Sequence, residues 1–360
     1  MAAKSETSET SEISQTSQTS QISTCSLSSG SSGNAVFVGC GGTNILIDAG
    51  RSAKAIIELL QEINRKITDI SAIFITHEHV DHVSALKVLI SRNRIPVYMV
   101  WESFDNLSDD FKRALGGVIN FISPYDDEKN NINIGSLTVQ CYSTPHDSAA
   151  SVGYVIKHNS RKAVGIATDI GYMTKEVTEA VCGCKILYIE SNHDLEMLKN
   201  SSYPAQIKQR IKSRRGHLSN IDCAECLPYF IKNGAEKIIL YHLSGENNTR
   251  ELALNESKKS ILSAKLNAGT VFLGIAPKSS PSKMMNIKFE PEIKEKKTVL
   301  NPLGHDSDKK VIHTPLPKIT SSNKSNKSNK SNKPKRKTRE IPEIDVDNIS
   351  DIDNINQEIV

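Results

Sequence analysis

The sequence predicts one layered α/β domain whose sheets are covered on their faces. Three observations lead there. Short apolar β-runs alternate with helix-period segments through the middle of the chain. Several of those runs end on a histidine or a carboxylate. Both ends of the chain are too poor in apolar side chains to join a core.

Taken in order, "AVFVG" and "NILIDAG" flank "CGGT" as a hairpin. "AKAIIELLQEI" has helical periodicity, "AIFIT" is a short apolar strand, and a helix runs through "VSALKVLISR". "PVYMV" is a strand and "DDFKRAL" a polar helix. "SLTVQCYST", "SVGYVIK" and "KAVGIATD" follow as strands. "KILYIE" is a strand, "PAQIKQRIKS" and "NIDCAECLPYFIKN" are helices, and "KIILYHLS" is a strand. "NTRELALNESKKSILSAKL" is a helix, and "TVFLG" closes the domain.

The flanks bound this region. Residues 1–27 are Ser/Thr-rich and read as a disordered tail, which leaves 28–276 as the folded domain. Residues 277–360 read as a second solvated tail, with an Asn/Ser/Lys repeat, a basic cluster from Lys333 to Arg339, and then acidic residues. The basic cluster is a candidate nuclear address or nucleic-acid grip; a plain basic stretch is the simpler reading. The formal charge of +4 is thus unevenly placed along the 360 residues. No apolar run reaches bilayer-spanning length and no hydrophobic signal core opens the chain, so a soluble intracellular protein is expected. Seven cysteines without a framework fit a reducing compartment. Cys182/Cys184 and Cys223/Cys226 have ligand-like spacing, but "IDCAECLPYF" reads as the buried face of a helix.

The strand ends carry the chemistry. "NILID" ends at Asp48, "AIFIT" runs into His77, and "VQCYSTPH" reaches His146. "VGIATD" ends at Asp169, "KILYIE" at Glu190, and "KIILYH" at His242. One histidine at a strand end is usually just hydrogen-bonded. Six polar endings that can converge on one crevice form a His/carboxylate ligand set for zinc or a similar divalent cation. In "HEHVDH", His77 and His79 can turn to one metal while Asp81 and His82 face a second. His146 would complete the first site, His242 the second, and Asp169 would bridge them. Two such metals acidify a water into a hydroxide nucleophile at neutral pH.

His-x-His-x-Asp-His after a hydrophobic strand is the signature of the metallo-β-lactamase superfamily, which the chain resembles from about Ser28 to Leu273. The resemblance implies a four-layer αββα sandwich with two metals at one edge, zinc first, with manganese and iron also compatible. It implies that Asp48 supports the metal loop by hydrogen bonds. A narrower resemblance rests on "SSGSSGN", "FITHEHVDH", "TPHD", "ATDIGY", "IESNHDLEML", "YPAQIKQRI", "RGHLSN" and "YHLSGENN". These runs look like the WalJ/YycJ-like hydrolases, regarded as DNA exonucleases that degrade from the 5′ end. The segment between Asp169 and His242 is only about 70 residues, with no room for a β-CASP insertion. The short stretch between His146 and Asp169 likewise lacks the tRNA-gripping arm of some 3′-processing enzymes. Asp169 stands where true β-lactamases tend to have cysteine.

Similarity to the tRNA-processing phosphodiesterases implies that Glu190 and His217 form a proton-donating pair for the leaving oxygen. The competing role for His217 is a helix cap, but Ser219 or Asn220 already fills that position. His193 has no assigned role. The Gly/Ser loop around Ser31, Ser32 and Asn34 is a candidate phosphate cradle. Lys208, Arg210, Lys212, Arg214 and Arg215 form either a path for a nucleic-acid backbone or a solvated helix face. Aromatic residues are only 5%, which predicts phosphate and sugar recognition over base stacking.

Three functions follow. The first is a two-metal 5′-to-3′ DNA exonuclease whose catalytic residues are Asp81, His217 and Glu190. The second keeps the metals but acts on an ester, thioester, lactone or small cyclic phosphodiester. The third is a nucleic-acid-binding protein whose domain is a scaffold for its tails.

Overall fold

The computed structural model describes residues 21–266, 269 and 271–289. The Ser/Thr tract up to residue 20 and everything from residue 290 on, including the Lys333–Arg339 cluster, lie outside the described residues.

Two seven-stranded sheets are built the same way: hairpins first, then parallel crossovers. The first contains β1 (Gln21–Ser28), β2 (Ala35–Cys40), β3 (Thr43–Ile47), β4 (Ala72–Phe74), β5 (Val97–Val100) and β6 (Ile119–Ile122). The second contains β7 (Asn131–Ile134), β8 (Leu137–Ser143), β9 (Val152–His158), β10 (Arg161–Ala167), β11 (Ile186–Glu190), β12 (Lys237–Tyr241) and β13 (Phe272–Ile275). The chain then returns to the first sheet as β14 (Met285–Lys288). The strand orders are β14-β1-β2-β3-β4-β5-β6 and β13-β12-β11-β10-β9-β8-β7. β3 to β6 and β10 to β13 run parallel, and the other pairs are antiparallel.

The residues sort into three apolar layers. Val36, Ile45, Phe74, Tyr154, Ile166 and Tyr188 fill the space between the sheets. Leu46, Ile56, Leu60 and Leu89 join the outer face of the first sheet to helices 53–62 and 86–93. Leu187, Leu227, Phe230 and Ile261 do the same for the second sheet and helices 220–232 and 250–263. This is a helix–sheet–sheet–helix sandwich, the architecture the sequence resemblance implies. Cys223 and Cys184 belong to the outer core of the second sheet, and the metal-competent groups among the described residues contain no cysteine.

The boundaries differ from the expected 28–276. β1 begins at Gln21, inside the stretch read as a tail, and β14 lies beyond "TVFLG". β1 reads as polar, yet most of it is buried, because the hydroxyls of Ser23, Thr24 and Ser26 find internal partners. Thr24 Oγ1 donates to the Phe37 carbonyl (2.7 Å) and lies 3.1 Å from Tyr188 Oη, and Ser26 Oγ donates to the Ser28 carbonyl. The helix expected through "VSALKVLISR" is split into 80–83 and 86–93.

This topology fixes where the polar strand ends go. Asp48 follows β3, His77 lies three residues past β4, Asp169 follows β10 by two residues, Glu190 is the last residue of β11, and His242 follows β12. All are C-terminal ends of strands in the parallel halves, so they meet at one edge of the sandwich.

Phe74 sits under that edge, stacked on Tyr98 (centroids 4.7 Å apart) and edge-on to Tyr154 (5.6 Å). Phe74→Ala should lower unfolding free energy by about 3–5 kcal/mol in chemical denaturation. A loss below about 1 kcal/mol would show that the inter-sheet layer does not depend on this packing.

Candidate metal centre

The loop after β4 is stitched to its neighbours through the backbone. Asn34 N donates to the Asp81 carbonyl (2.8 Å), Ala49 N to the His82 carbonyl (2.9 Å), and Gly50 N to the Asn34 carbonyl (2.9 Å). Gly50 lies so close to this loop that a Cβ there would stand 1.6 Å from the Asp81 carbonyl oxygen. The close approach explains a glycine at this position in "IDAGR".

The loop brings His77 and His79 together with His146, and Asp81 and His82 together with His242. Within each triad the candidate ligand atoms all lie within 4.8 Å of one another. Asp169 groups with His77 and His82 on one side and with His242 on the other, which puts it between the triads. Its Oδ2 is 3.3 Å from His82 Nε2, and its Oδ1 is 3.3 Å from His242 Nδ1 and 3.9 Å from His146 Nε2. The seven side chains proposed as ligands from the sequence are therefore gathered in one cluster.

The donor set fits divalent cations on an observation of its own. Nε2 of His77, of His146 and of His242 are each buried without a hydrogen-bond partner. Buried polar atoms are nearly always paired, so three bare imidazole nitrogens in one cluster imply a missing partner. Charge points the same way. Asp48, Asp81, Asp169 and Glu190 bring four carboxylates to a largely buried edge. Burial opposes a charge on His82, but Asp48, Asp169 and Asp81 outweigh it and lift the imidazole well above its ordinary range. Burial likewise opposes a charge on His242, and the nearby carboxylates of Asp169, Asp81 and Glu190 overcome it. Burial drives His77 and His146 the other way, toward the neutral form that ligates metal.

The far nitrogens are fixed by partners around the cluster. Asp48 Oδ2 lies 2.8 Å from His82 Nδ1, and its Oδ1 accepts from Thr76 N (2.8 Å). Asp48 thus touches the metal loop, in the supporting position the resemblance implies. Thr76 Oγ1 joins both Asp48 oxygens to His77 Nδ1 (3.0 Å). His146 Nδ1 is 3.1 Å from the Gly216 carbonyl.

Glu190 is fully buried and serves two imidazoles. Its Oε1 lies 2.8 Å from His217 Nδ1 and 2.9 Å from His242 Nδ1. Its Oε2 accepts from Ile170 N (2.7 Å) and Leu218 N (3.3 Å). Burial opposes its charge, but His217 and His242 hold it well below the usual carboxylate range. Burial opposes protonation of His217, and Glu190 overcomes it and raises the imidazole. Ser219 caps helix 220–232 by accepting from Asp222 N, so His217 is not the cap. His193 is buried beside this pair, with both ring nitrogens unpartnered and its imidazole pushed down to about 4, chiefly by burial.

Two other expectations change. Asn34 does not line an open cradle. Its Oδ1 accepts from Gly30 N (2.8 Å), and its Nδ2 lies 3.3 Å from Asp81 Oδ2 and 3.2 Å from His82 Nε2. Ser31 and Ser32 are exposed, and Ser32 Oγ accepts from Arg51 (3.2 Å). The basic run is not one continuous face. Arg210 pairs with Asp147, Lys208 Nζ donates to the Lys199 and Ser201 carbonyls, and Lys212 is exposed. Arg215 donates to the carbonyls of His146 (2.9 Å) and Ser148 (3.2 Å), while Arg214 stacks on Tyr172. Thr76 and Glu78, which accepts from Ala149 N, are supporting residues the sequence reading did not single out. Only their tertiary bonds distinguish them.

Asp48→Ala removes the partner of His82 Nδ1 and should weaken divalent-metal affinity about 10- to 100-fold, measured by competition with a chromophoric chelator. Unchanged affinity would show that Asp48 does not orient a ligand.

A family profile described as Beta-lactamase superfamily domain matches residues 43–243. The chain is 36% identical over 223 residues to exodeoxyribonuclease YycJ of Bacillus anthracis, covering 61% of this chain and 81% of that protein. It is also 36% identical over 242 residues to exodeoxyribonuclease WalJ of Streptococcus pneumoniae serotype 2 (strain D39 / NCTC 7466), covering 66% and 88%. Among solved structures, the metallo-β-lactamase fold protein YhfI from Bacillus subtilis superposes with a TM-score of 0.53 at 16% identity, covering 74% of this chain and 99% of that one. Zn(2+)-bound PqqB from Methylobacterium extorquens gives 0.54 at 14% identity, covering 74% and 100%. At those identities the two structures speak for the fold, while the profile and the two relatives speak for ancestry. The chain belongs to the β-lactamase superfamily and is a metal-dependent hydrolase of the metallo-β-lactamase fold.

Proposed function

We propose that the chain is an exodeoxyribonuclease that hydrolyses DNA phosphodiester bonds from the 5′ end with two divalent cations, zinc foremost. The observation that carries this reading is His217, held by Glu190 at the rim of the paired triads. The sugar alkoxide expelled from a phosphodiester is a strong base that departs readily only when protonated, so a dedicated proton donor suits phosphodiester cleavage. The names of the 36%-identical relatives support DNA as that substrate.

His77, His79 and His146 would hold one cation and Asp81, His82 and His242 the other, with Asp169 between them. When bound, such cations supply Lewis acidity toward the phosphoryl oxygens and acidify water at neutral pH. Manganese and iron suit the same imidazole and carboxylate donors. The residues do the rest. Asp48 and Thr76 keep His82 and His77 turned inward. Glu190 holds His217 Nδ1, which leaves Nε2 of this 17%-exposed side chain to give its proton to the leaving oxygen. The same carboxylate stabilises the imidazolium before transfer.

His79→Ala should lose bound metal, by elemental analysis, and DNA cleavage together. His217→Ala should keep its metal and lose about 10²- to 10⁴-fold in kcat; unchanged turnover would remove His217 from the proton-donor role. The substrate is tested with 5′-phosphorylated, 5′-hydroxyl and circular DNA, RNA, and a carboxylic ester series, each with zinc, manganese or iron. Linear DNA should shorten from its 5′ end while circles persist. Ester hydrolysis with intact DNA under every metal would overturn the nuclease reading.

A further inference from the structure

An open cleft of about 550 Å³ adjoins the metal centre and shares His146 with it. Its volume falls within the roughly 300–1,000 Å³ typical of ligand sites. Three of its wall segments are sequence neighbours of the cluster: Pro145 precedes His146, Tyr172 follows Asp169, and Arg214–Arg215 precede His217. These segments are locked together. Gly171 N donates to the Pro145 carbonyl (2.9 Å), and a Cβ on Gly171 would lie 2.2 Å from the Arg214 carbonyl oxygen. These contacts tie the Pro145, Tyr172 and Arg214 wall of the cleft to the cluster.

Its chemistry is aromatic and cationic. The Arg214 guanidinium lies 4.0 Å from the Tyr172 ring centroid, so this wall is already a flat stacked pair. Tyr125, from the loop after β6, presents its ring to the same cleft and is 80% exposed. Arg214 and Arg215 are opposed by one carboxylate in the lining, Glu102. Flat rings, a guanidinium plane and a positive balance are what a nucleobase beside a phosphate calls for, and stacking on them is tolerant of base identity.

We propose that this cleft is a base-stacking subsite for a single-stranded end of the DNA substrate, in which the base next to the scissile phosphate lies against Tyr172–Arg214 and Tyr125. This rests on the nuclease reading and departs from the expectation, drawn from the low aromatic content, that recognition stops at phosphate and sugar. Few aromatic residues suffice when two tyrosines stand at the reacting bond.

The test uses the metal-loaded full chain and single-stranded oligonucleotides with one abasic residue moved along the strand. In the wild type, an abasic residue at one position near the cleaved bond should raise KM about tenfold. Tyr125→Leu and Tyr172→Leu should erase that penalty with kcat retained, and the Tyr→Phe variants should behave as wild type. 2-Aminopurine at the same position should be quenched on mixing, before turnover, by the wild type and not by the Leu variants. DNA cleavage without any position-dependent abasic penalty, or with the penalty intact in both Leu variants, would overturn the subsite. If the wild type cleaves no DNA, the nuclease reading fails. The fluorescence then decides alone: quenching lost in the Leu variants supports the subsite, and uniform fluorescence overturns it.

Discussion

Crowding four carboxylates and six imidazoles into one largely buried sheet edge is the constraint on which the structure depends. No ordinary core would tolerate Asp48, Asp81, Asp169 and Glu190 so close together. The fold tolerates them because each has a defined creditor for its charge. Asp48 answers to His82 and Thr76, and Glu190 to His217, His242 and two backbone amides. Asp81 belongs to one triad and Asp169 lies between the two, where divalent cations would complete the balance. The outer bonds of His77, His82, His146 and His242 occupy Nδ1 and leave Nε2 for a metal, so much of the ligand geometry is set by the protein itself.

The backbone carries part of the load. Asp48, Asp169 and His242 all have positive φ, at 62°, 55° and 57°. Side chains other than glycine seldom adopt that conformation, and each instance here sits just past the end of a parallel strand. The turn aims the side chain across the sheet edge, where a continued extended strand would send it to a face. Hydrogen bonds hold these residues in place: Asp48 N to the Phe74 carbonyl, His242 N to Ser29 Oγ. The hairpin loop 28–34 thus braces His242 from the opposite sheet, a structural duty for a Gly/Ser stretch that composition alone suggests as a phosphate cradle.

How much was legible follows from what each residue answers to. The ligand cluster could be read because His77, His146, Asp169 and His242 end runs of β-pattern, positions the sequence itself marks, and His79, Asp81 and His82 share one short motif with His77. The sandwich could be read for the same reason, reinforced by the family resemblance. β1 could not be. "QISTCSLS" has the composition of a tail, and its burial depends on Phe37 and Tyr188, which meet it only in the folded sheets. Asn34 and Arg215 looked like ligand-facing residues, yet both hold the scaffold, because their partners come from loops distant in sequence. The sharing of Glu190 between two histidines was equally invisible, since nothing in the spacing of 190, 217 and 242 says that one oxygen serves both.

The pairing of β1 with β14 also decides where the described residues enter and leave the first sheet. Gln21 stands opposite Lys288, at the end of the sheet away from Ser28, Ala35 and Asp48. Gln21 and Lys288 therefore stand side by side at the rear of the first sheet, away from the edge that carries the metal-competent cluster. Trimming the chain past either residue would strip a neighbouring strand of its hydrogen-bonded flank.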